Sequence, residues 1–254
     1  MKEKWRLLIT EKNSAYRNMA MDRAELVSIS KGNTPPTVRF FTWKPRAISI
    51  GYFQSLEDEV NLDACKSLGV DYVRRITGGG AVFHDKELTY SIVIPESHSQ
   101  VSKNIMESYG RICGAIIKGL KQLEIDSSYV PINDIIADGK KISGNAQTRK
   151  AKTVLQHGTI LMDVDVEEMF SLLLVPNEKI RDKMISDVKQ RVTSIKHILG
   201  KDISFNQIAD AMRIGFEEEF NIELNKGILT DEEIELTNKF EKEFFSTKEW
   251  NHRR

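Results

Sequence analysis

The chain has 254 residues, of which 40% are hydrophobic, and its 37 Lys and Arg residues are balanced by 37 Asp and Glu residues. This length is enough for the core of one sizeable domain or of two small ones. A formal net charge of +0 leaves no overall field that would attract nucleic acid or an anionic membrane, so neither is expected as a partner.

Hydropathy gives no sign of membrane insertion or export. The apolar run Ser171–Val175 is among the longest, and it falls far short of the roughly 20 residues that a transmembrane helix needs. The chain passes from Met1 into a strand-like run at Trp5 without the apolar core of a signal peptide. We therefore expect a cytoplasmic protein. Cys65 and Cys113 lack CxxC or metal-ligand spacing, which predicts buried thiols.

Hydrophobic periodicity predicts alternating strands and helices, with helices dominating towards the end of the chain. The predicted strands are Trp5–Ile9, Val38–Trp43, Ala47–Tyr52, Val70–Arg74, Ala81–Phe83, Leu88–Ile94 and Val154–Met162. The predicted helices are Ala15–Ser30, Leu62–Leu68, Asn104–Leu123, Val166–Leu174, Ser204–Phe220 and Asp231–Phe245. The last two begin with capping boxes, Ser204 to Gln207 and Thr230 to Glu233. We expect one α+β unit over residues 1–254, with a helical carboxy-terminal part from about Asp202.

One segment has the composition of an anion-binding loop. Arg74 and Arg75 lead into three glycines, Gly78–Gly80, and then into a β-prone stretch that ends at His84. Glycine can adopt positive φ and lets backbone N–H groups approach an anion closely, while a neighbouring guanidinium can clamp phosphate or carboxylate oxygens. The pattern favours a phosphate-handling loop, and a simple glycine-rich turn is the alternative.

A second segment predicts a lysine on a strand directly after a hairpin. Two short β-prone runs flank Asp138-Gly139, a dipeptide typical of tight hairpin turns. Lys141 begins the second run and is followed by the small pair Ser143-Gly144, which leaves space for its ammonium to point at a ligand. In the alternative interpretation, Lys140 and Lys141 are both solvated charges.

Together, the two segments resemble the lipoate-protein ligase family. Its members carry an R-R-x-x-G-G-G-[AG]-V-F-H-D stretch and a later N-D…K-[IV]-S-G segment, and both occur here in that order, at 74–85 and 133–144. The resemblance runs from about Trp5 to Asn251. It implies an α+β fold like that of class II aminoacyl-tRNA synthetases and biotin ligases, with a mixed, mostly antiparallel sheet flanked by helices.

The resemblance also implies a reaction. In that reaction lipoate attacks the α-phosphorus of ATP to give lipoyl-AMP, and a lysine of a lipoyl-acceptor domain then attacks the mixed anhydride. ATP, lipoate and Mg²⁺ are the implied cofactors, and E2 subunits and the glycine-cleavage H protein are the implied acceptors. Two anions meet in the first step, so cations and oriented N–H dipoles should dominate catalysis.

The family motifs assign roles to individual residues. Lys141 matches the lysine that contacts both nucleotide and lipoate, and it is our first catalytic candidate, with Arg75 and Asp134. Asp134 is expected either to bind Mg²⁺ or to orient the acceptor lysine. The expected cofactor-binding residues are Arg75, Gly78, Gly79, Gly80, Ala81, Val82, Phe83 and Lys141. The expected substrate-binding residues are Gly51, Tyr52, His84, Asn133, Lys141, Gly144 and His157, although either histidine could instead be a hydrogen-bonded structural residue.

Two departures from the family pattern leave alternatives open. Many ligases carry a further small carboxy-terminal domain, for which a chain ending at Arg254 leaves no room, so we expect a separate small accessory protein to restore adenylation. A sister group transfers octanoyl from acyl carrier protein through a cysteine thioester, without ATP. The connection Ser128–Ile136 contains no cysteine, which favours the ligase over this transferase. A non-catalytic module that binds lipoate or lipoyl-AMP is the remaining alternative.

Overall fold

A large mixed sheet forms the centre of the computed structural model, which describes residues 2–175 and 178–254. The strands are β1 (Glu3–Asn13), β2 (Thr37–Trp43), β3 (Ala47–Ile50), β4 (Asp71–Arg74), β5 (Val82–His84), β6 (Glu87–Pro95), β7 (Ser127–Val130), β8 (Asp134–Ala137), β9 (Lys140–Lys150), β10 (Thr153–Leu161) and β11 (Ile222–Lys226). The helices are α1 (Ala15–Ser30), α2 (Leu56–Glu59), α3 (Leu62–Leu68), α4 (Ile105–Gln122), α5 (Val166–Leu172), α6 (Glu178–Arg191), α7 (Ile195–Leu199), α8 (Phe205–Phe220), α9 (Asp231–Phe240) and α10 (Lys248–Asn251).

The sheet topology confirms the predicted fold class. The large sheet has the order β11-β1-β2-β6-β10-β9-β8-β7. The strands β11 and β2 pair in parallel with β1, and the pairs from β2 to β7 along the sheet are antiparallel. A small sheet of order β4-β3-β5 lies beside it. The fold is therefore α+β, with a mostly antiparallel sheet between helices.

Consecutive residues of the central strands face two different helical layers. Phe40 of β2 and Ile92 of β6 belong to the core that α4 and α8 cover, whereas the next residues, Phe41 and Val93, belong to the core under α1. Because side chains alternate along a strand, a sheet covered on both faces needs apolar residues in unbroken runs. β6 accordingly is buried over nearly its whole length.

Most predicted elements occur close to their predicted bounds. The helices α1 and α3 begin and end where predicted, and both capping boxes form. The predicted helix Asp231–Phe245 ends instead at Phe240 and continues as a π-helical turn over Glu241–Phe245. Within residues 2–175 and 178–254, no helix is long and apolar enough to cross a membrane. The predicted cytoplasmic location stays a prediction.

The carboxy-terminal part is less purely helical than expected. Its strand β11 pairs in parallel with β1 at the edge of the large sheet, so that Ile222 lies opposite Glu3. The strand is short and alternates buried with exposed residues, a pattern too brief to separate from the end of the preceding helix by periodicity alone.

The helices α4 and α8 cross at a point where both backbones are close together. A Cβ atom added to Gly215 of α8 would lie 2.2 Å from the carbonyl oxygen of Ala115 and 2.4 Å from the backbone nitrogen of Gly119, both on α4. No side chain fits at such distances without moving a helix. This close crossing packs α4 and α8 as one layer on the sheet.

The crossing yields a stability prediction. Replacing Gly215 by alanine should lower the free energy of unfolding by about 1–3 kcal/mol, because the added methyl group overpacks the contact. Gly110→Ala on α4 is the matched control, since its Cβ would lie 3.6 Å from the Tyr129 ring in ordinary contact, and losing a helical glycine should stabilise by up to about 1 kcal/mol. Denaturant unfolding of both variants measures the difference, and equal effects would contradict the close crossing.

Candidate functional site

The two motif segments meet around one cavity of about 170 Å³ between the large and the small sheet. The cavity is lined by parts of the glycine loop, β3 and β5 on one side and of β9 and β10 on the other. The predicted site residues among its lining are Arg75, Gly79, Gly80, Ala81, Val82, His84, Asn133, Lys141, Gly144 and His157. The fold therefore brings together segments that are far apart in the chain, at 74–85 and 133–144.

Lys141 owes its position to the hairpin between β8 and β9. Asp138 and Gly139 adopt φ values of 50° and 70°, the left-handed pair that a two-residue hairpin turn requires. The pairing of β8 with β9 shifts register between Ile135 and Ile136. Residues three apart on a regular strand face opposite sides, and the extra residue of a bulge reverses that parity. Lys141 and Gly144 consequently share one face.

The Lys141 ammonium pairs with the Asp134 carboxylate and occupies the space left by the missing side chain of Gly144. Its Nζ lies 2.6 Å from Oδ1 of Asp134, and the two side chains are 40% and 35% exposed. A Cβ on Gly144 would lie 2.8 Å from Lys141 Cε and 2.9 Å from Nζ. The glycine thus provides the space that the ammonium occupies. Asp134 is not part of the cavity wall but touches the lysine that is.

Asn133, which directly precedes β8, binds that end of the hairpin to β9. Its Nδ2 donates to the carbonyl oxygen of Asn145 at 2.6 Å, and Nδ2 of Asn145 donates to the carbonyl oxygen of Asn133 at 2.9 Å. The hydroxyl of Tyr90 donates to Oδ1 of Asn145 at 2.6 Å. Asn133 and Asn145 both line the cavity, so one side of it is fixed by reciprocal amide bonds.

Arg75 organises the glycine loop. Its NH1 donates to the carbonyl oxygen and to Oγ of Ser49, both at 2.7 Å, and its NH2 donates to the carbonyl oxygens of Gly78 and Gly80 at 3.0 and 2.9 Å. Burial lowers the pKa of Arg75 to about 10, so it remains a cation at neutral pH. We predicted direct contact with a nucleotide. In the structure NH1 and NH2 donate to the protein itself, and Arg75 also lines the cavity.

Gly51 packs against the glycine loop and does not line the cavity. A Cβ at Gly51 would lie 1.9 Å from the carbonyl oxygen of Gly79, a residue whose φ of 96° also suits glycine. The loop can therefore rest directly on the backbone after β3. Phe83 packs against the hydrophobic cluster that contains Ile48 and Ile50 of the small sheet.

Tyr52 lies outside the cavity among cations. The guanidinium of Arg253 lies 4.5 Å from its ring centroid, and Nζ of Lys150 lies 5.0 Å from it. The hydrogen bond with Arg253 lowers the pKa of the Tyr52 hydroxyl.

His84 is hydrogen-bonded through both ring nitrogens. Its Nε2 lies 2.6 Å from Oγ of Ser49, and its Nδ1 lies 2.5 Å from Oε1 of Glu87. The indole of Trp43 stacks on the imidazole with 3.9 Å between ring centroids. The histidine is therefore held on three sides, and it connects Glu87 to the Ser49 hydroxyl to which Arg75 also donates.

His157 is held in the same manner. Its Nε2 lies 2.7 Å from Oγ1 of Thr77, and its Nδ1 lies 2.8 Å from Oδ2 of Asp22. Burial lowers the pKa of His157, although the nearby Asp22 carboxylate acts in the opposite direction. The lowered pKa favours the neutral imidazole. Although burial alone would raise the pKa of Asp22, Arg39 and His157 hold it below its usual value. Arg39 NH2 donates to Oδ1 of Asp22 at 2.6 Å.

The chemistry of the donor set does not fit a metal ion. Within the described ranges, no group of three or more His, Cys, Asp or Glu side chains is placed to hold one. Asp134, which we predicted as a Mg²⁺ ligand, is paired with the Lys141 ammonium.

Several residues of the site escaped sequence reasoning. Ser49, Trp43, Thr89 and Met19 line the cavity, but they come from strands and a helix whose place beside it depends on sheet order. Asn145, which also lines the cavity, directly follows the motif that ends at Gly144, and it was missed because the motif stops one residue short of it.

Comparison with known proteins identifies the chain's relatives. The sequence profile of the family described as "Lipoyl protein ligase A/B catalytic domain" matches residues 14–217. The octanoyltransferase LipM of Brevibacillus brevis is 37% identical over 275 aligned residues, which cover 99% of this chain and 100% of the relative. The resemblance to this family in the motifs is thereby confirmed.

Solved structures agree with the fold. A bi-partite lipoate protein ligase of Thermoplasma acidophilum, studied with its E2 lipoyl domain, superposes with a TM-score of 0.90 at 31% identity and covers 98% of this chain and 96% of its own. A lipoate-protein ligase A bound with ATP superposes with a TM-score of 0.84 at 30% identity, covering 98% of both chains.

The predicted ATP-dependent activation of lipoate is wrong. Relatives that are 35–37% identical and covered over at least 99% of their length are octanoyltransferases. A transferase receives an acyl group that is already activated, so the adenylation step and the predicted uses of ATP and Mg²⁺ have no place in its reaction. The error has a physical reason. A glycine loop and a fixed ammonium suit any activated acyl group, and the motifs do not encode which leaving group it carries.

The charges behind His157 yield a prediction about pH. Glu25 is fully buried, with Oε1 2.9 Å from Nε of Arg39. Burial raises its pKa from 4.5 to about 8, the nearby Asp22 charge adds to this shift, and Arg39 opposes it. A raised pKa means that the folded protein keeps a proton that the unfolded chain releases. The stability contributed by this group is complete below about pH 4.5 and is lost as the pH rises towards 8.

Glu25→Gln removes this titration. The free energy of unfolding of the variant, relative to that of the native chain, should therefore increase between pH 5 and pH 8. Denaturant unfolding of both proteins at the two pH values measures this change. A difference between them that stays constant with pH would show that Glu25 is ionised throughout.

Proposed function

The chain belongs to the family of the lipoyl protein ligase A/B catalytic domain, and from this membership we propose that it transfers an octanoyl group from a thioester donor to a lysine of a lipoyl-acceptor domain. The chain is an enzyme of protein lipoylation. The donor class that we propose is octanoyl-acyl carrier protein. A lipoyl group of similar length is the second acyl group to test.

The observation that carries the proposal is the fixed ammonium of Lys141 inside the cavity. Attack on a thioester carbonyl produces a tetrahedral adduct with a negative oxygen, and a preorganised cation at that oxygen lowers the barrier. Asp134 holds the ammonium in place and offers the second oxygen of its carboxylate to the incoming acceptor lysine. We assign carbonyl polarisation to Lys141 and reception of the amine proton to Asp134.

The cavity walls suit an acyl chain. Met19, Trp43, Val82 and Ala146 supply apolar surface, and each buried methylene group contributes about 0.8 kcal/mol to binding. Gly144 keeps the space beside the Lys141 ammonium free of a side chain. We assign the residues Gly79 to Val82, predicted as nucleotide contacts, to the wall that faces the thioester, with Arg75 and His84 positioning that wall.

The acceptor class follows from the reaction. Both E2 subunits and the glycine-cleavage H protein carry lipoyl domains with a target lysine, and we propose these as the acceptors. A solved relative was studied with an E2 lipoyl domain. The small accessory protein that we predicted was expected to restore adenylation, so it has no part in this proposal.

Transfer from an octanoyl thioester to a purified lipoyl domain, followed by intact mass spectrometry of that domain, tests the proposal. Lys141→Ala should lower kcat/KM by about 100- to 1000-fold, because the developing oxyanion loses its cation. Lys140→Ala, on the neighbouring residue outside the cavity lining, is the control and should keep activity within about twofold.

Two results would refute this function. One is the absence of octanoyl transfer under conditions in which the chain is folded. The other is acylation of the lipoyl domain that requires ATP and free acid and does not use the thioester. Equal losses in the two lysine variants would refute the role of Lys141 alone.

A further inference from the structure

One buried carboxylate joins the two sheets between which the cavity lies. Glu87 of β6 is 2% exposed and does not line the cavity. Its Oε1 accepts a hydrogen bond at 2.6 Å from the hydroxyl of Thr89 on the large sheet, and it lies 2.5 Å from Nδ1 of His84 on the small sheet. Both of these neighbours line the cavity. A single oxygen atom therefore connects one wall of the cavity to the other.

On the large sheet, a series of hydrogen bonds runs from an indole to this carboxylate. Nε1 of Trp43 donates to Oγ1 of Thr89 at 2.8 Å, and the Thr89 hydroxyl donates in turn to Glu87. An indole N–H can only donate and a carboxylate can only accept, so the direction of both bonds is fixed. Trp43 lines the cavity. Glu87 thereby holds, through Thr89, one of the apolar surfaces that face the acyl chain.

On the small sheet, a second series of hydrogen bonds ends at the same carboxylate. Arg75 NH1 donates to Oγ of Ser49 at 2.7 Å, and this Oγ lies 2.6 Å from Nε2 of His84. A guanidinium can only donate, so the Ser49 hydroxyl accepts from Arg75 and gives its own proton to Nε2. Nδ1 of His84 then carries the ring proton and donates it to Glu87. The carboxylate thereby holds Arg75, whose NH2 binds the glycine loop.

A stacking contact lies beside this junction. The indole of Trp43 stacks on the imidazole of His84 with 18° between the ring planes, so the large and the small sheet also touch through these two rings. Buried hydrogen bonds in series strengthen one another, and a buried donor that loses its acceptor is costly. Without the carboxylate, the Thr89 hydroxyl and Nδ1 of His84 would both lose their acceptor. The two walls could then shift relative to each other.

We propose, on the basis of the octanoyl transfer proposed above, that Glu87 is a positioning residue that determines acyl-chain selectivity. It fixes the apolar wall at Trp43 relative to the thioester-facing wall at Gly79–Val82. The spacing of the two walls determines which chain length places the thioester carbonyl at the Lys141 ammonium. Displacing a reacting group by about 1 Å can cost about 100-fold in rate. Chains shorter or longer than octanoyl therefore meet a cost that octanoyl avoids.

The selectivity is measured with hexanoyl, octanoyl and decanoyl thioesters as donors to a purified lipoyl domain. Glu87→Ala should lower kcat/KM for octanoyl by about 10- to 100-fold. It should lower kcat/KM for the other two donors less, so that the preference for octanoyl shrinks by about fivefold or more. Glu87→Gln keeps an acceptor oxygen at the same position and should retain the preference within about twofold.

Three results would overturn the inference. The first is a wild-type enzyme that transfers all three acyl groups equally well. The second is a folded Glu87→Ala enzyme with the wild-type preference, including one whose kcat/KM falls equally for the three donors. The third is a Glu87→Gln enzyme that is as unselective as Glu87→Ala. The absence of transfer by the wild-type enzyme from any of the three thioesters would instead refute the proposed function, so the two failures are distinguishable.

A second variant keeps the test decisive if Glu87→Ala does not fold. Thr89→Val preserves the shape of the wall but removes the hydroxyl between Trp43 and Glu87, so the preference for octanoyl should shrink by about threefold or more. Glu233→Gln is the control, because Glu233 is also fully buried, pairs with Arg6 at 2.6 Å and does not line the cavity. It should lose stability and keep the preference. An unchanged preference in folded Thr89→Val, or an equal loss in the control, would overturn the inference.

Discussion

The contact between the Lys141 ammonium and the Asp134 carboxylate is the interaction on which the site depends. At 2.6 Å and with both side chains more than a third exposed, such a pair contributes at most about 1 kcal/mol to stability. Its effect on the fold is therefore small. Its effect on chemistry is large, because it fixes where a positive charge lies relative to the cavity.

Other contacts in the structure position the Lys141 ammonium and the cavity walls around it. The tight turn and the bulge place Lys141 and Gly144 on one face of β9. Behind them, Arg39 and Asp22 form a fully buried ion pair that orients His157. Buried ion pairs cost much of their attraction in desolvation, so this network is better explained by positioning than by stability. Arg75 does the same for the glycine loop with hydrogen bonds to backbone carbonyl oxygens.

The sequence predicted the local parts of this site and missed the parts that depend on topology. The hairpin at Asp138-Gly139, the lysine after it and the buried state of both cysteines could be inferred, because turn chemistry and spacing determine them. The contacts of Ser49 and Trp43 with His84 could not, since they arise only once β2, β3 and β5 are neighbours. The wrong reaction has a similar origin, because the residues around an activated acyl group do not record what activated it.

The most direct measurement of the role of Lys141 is a double-mutant cycle with Gly144→Ala. A Cβ there would lie 2.9 Å from Nζ, so the flexible ammonium should move aside and kcat/KM for octanoyl transfer should fall by about tenfold or more while the protein stays folded. In a Lys141→Ala background the same change should cost almost nothing, because no ammonium remains to be displaced. Equal losses in both backgrounds would contradict the claim that Gly144 acts by placing this one charge.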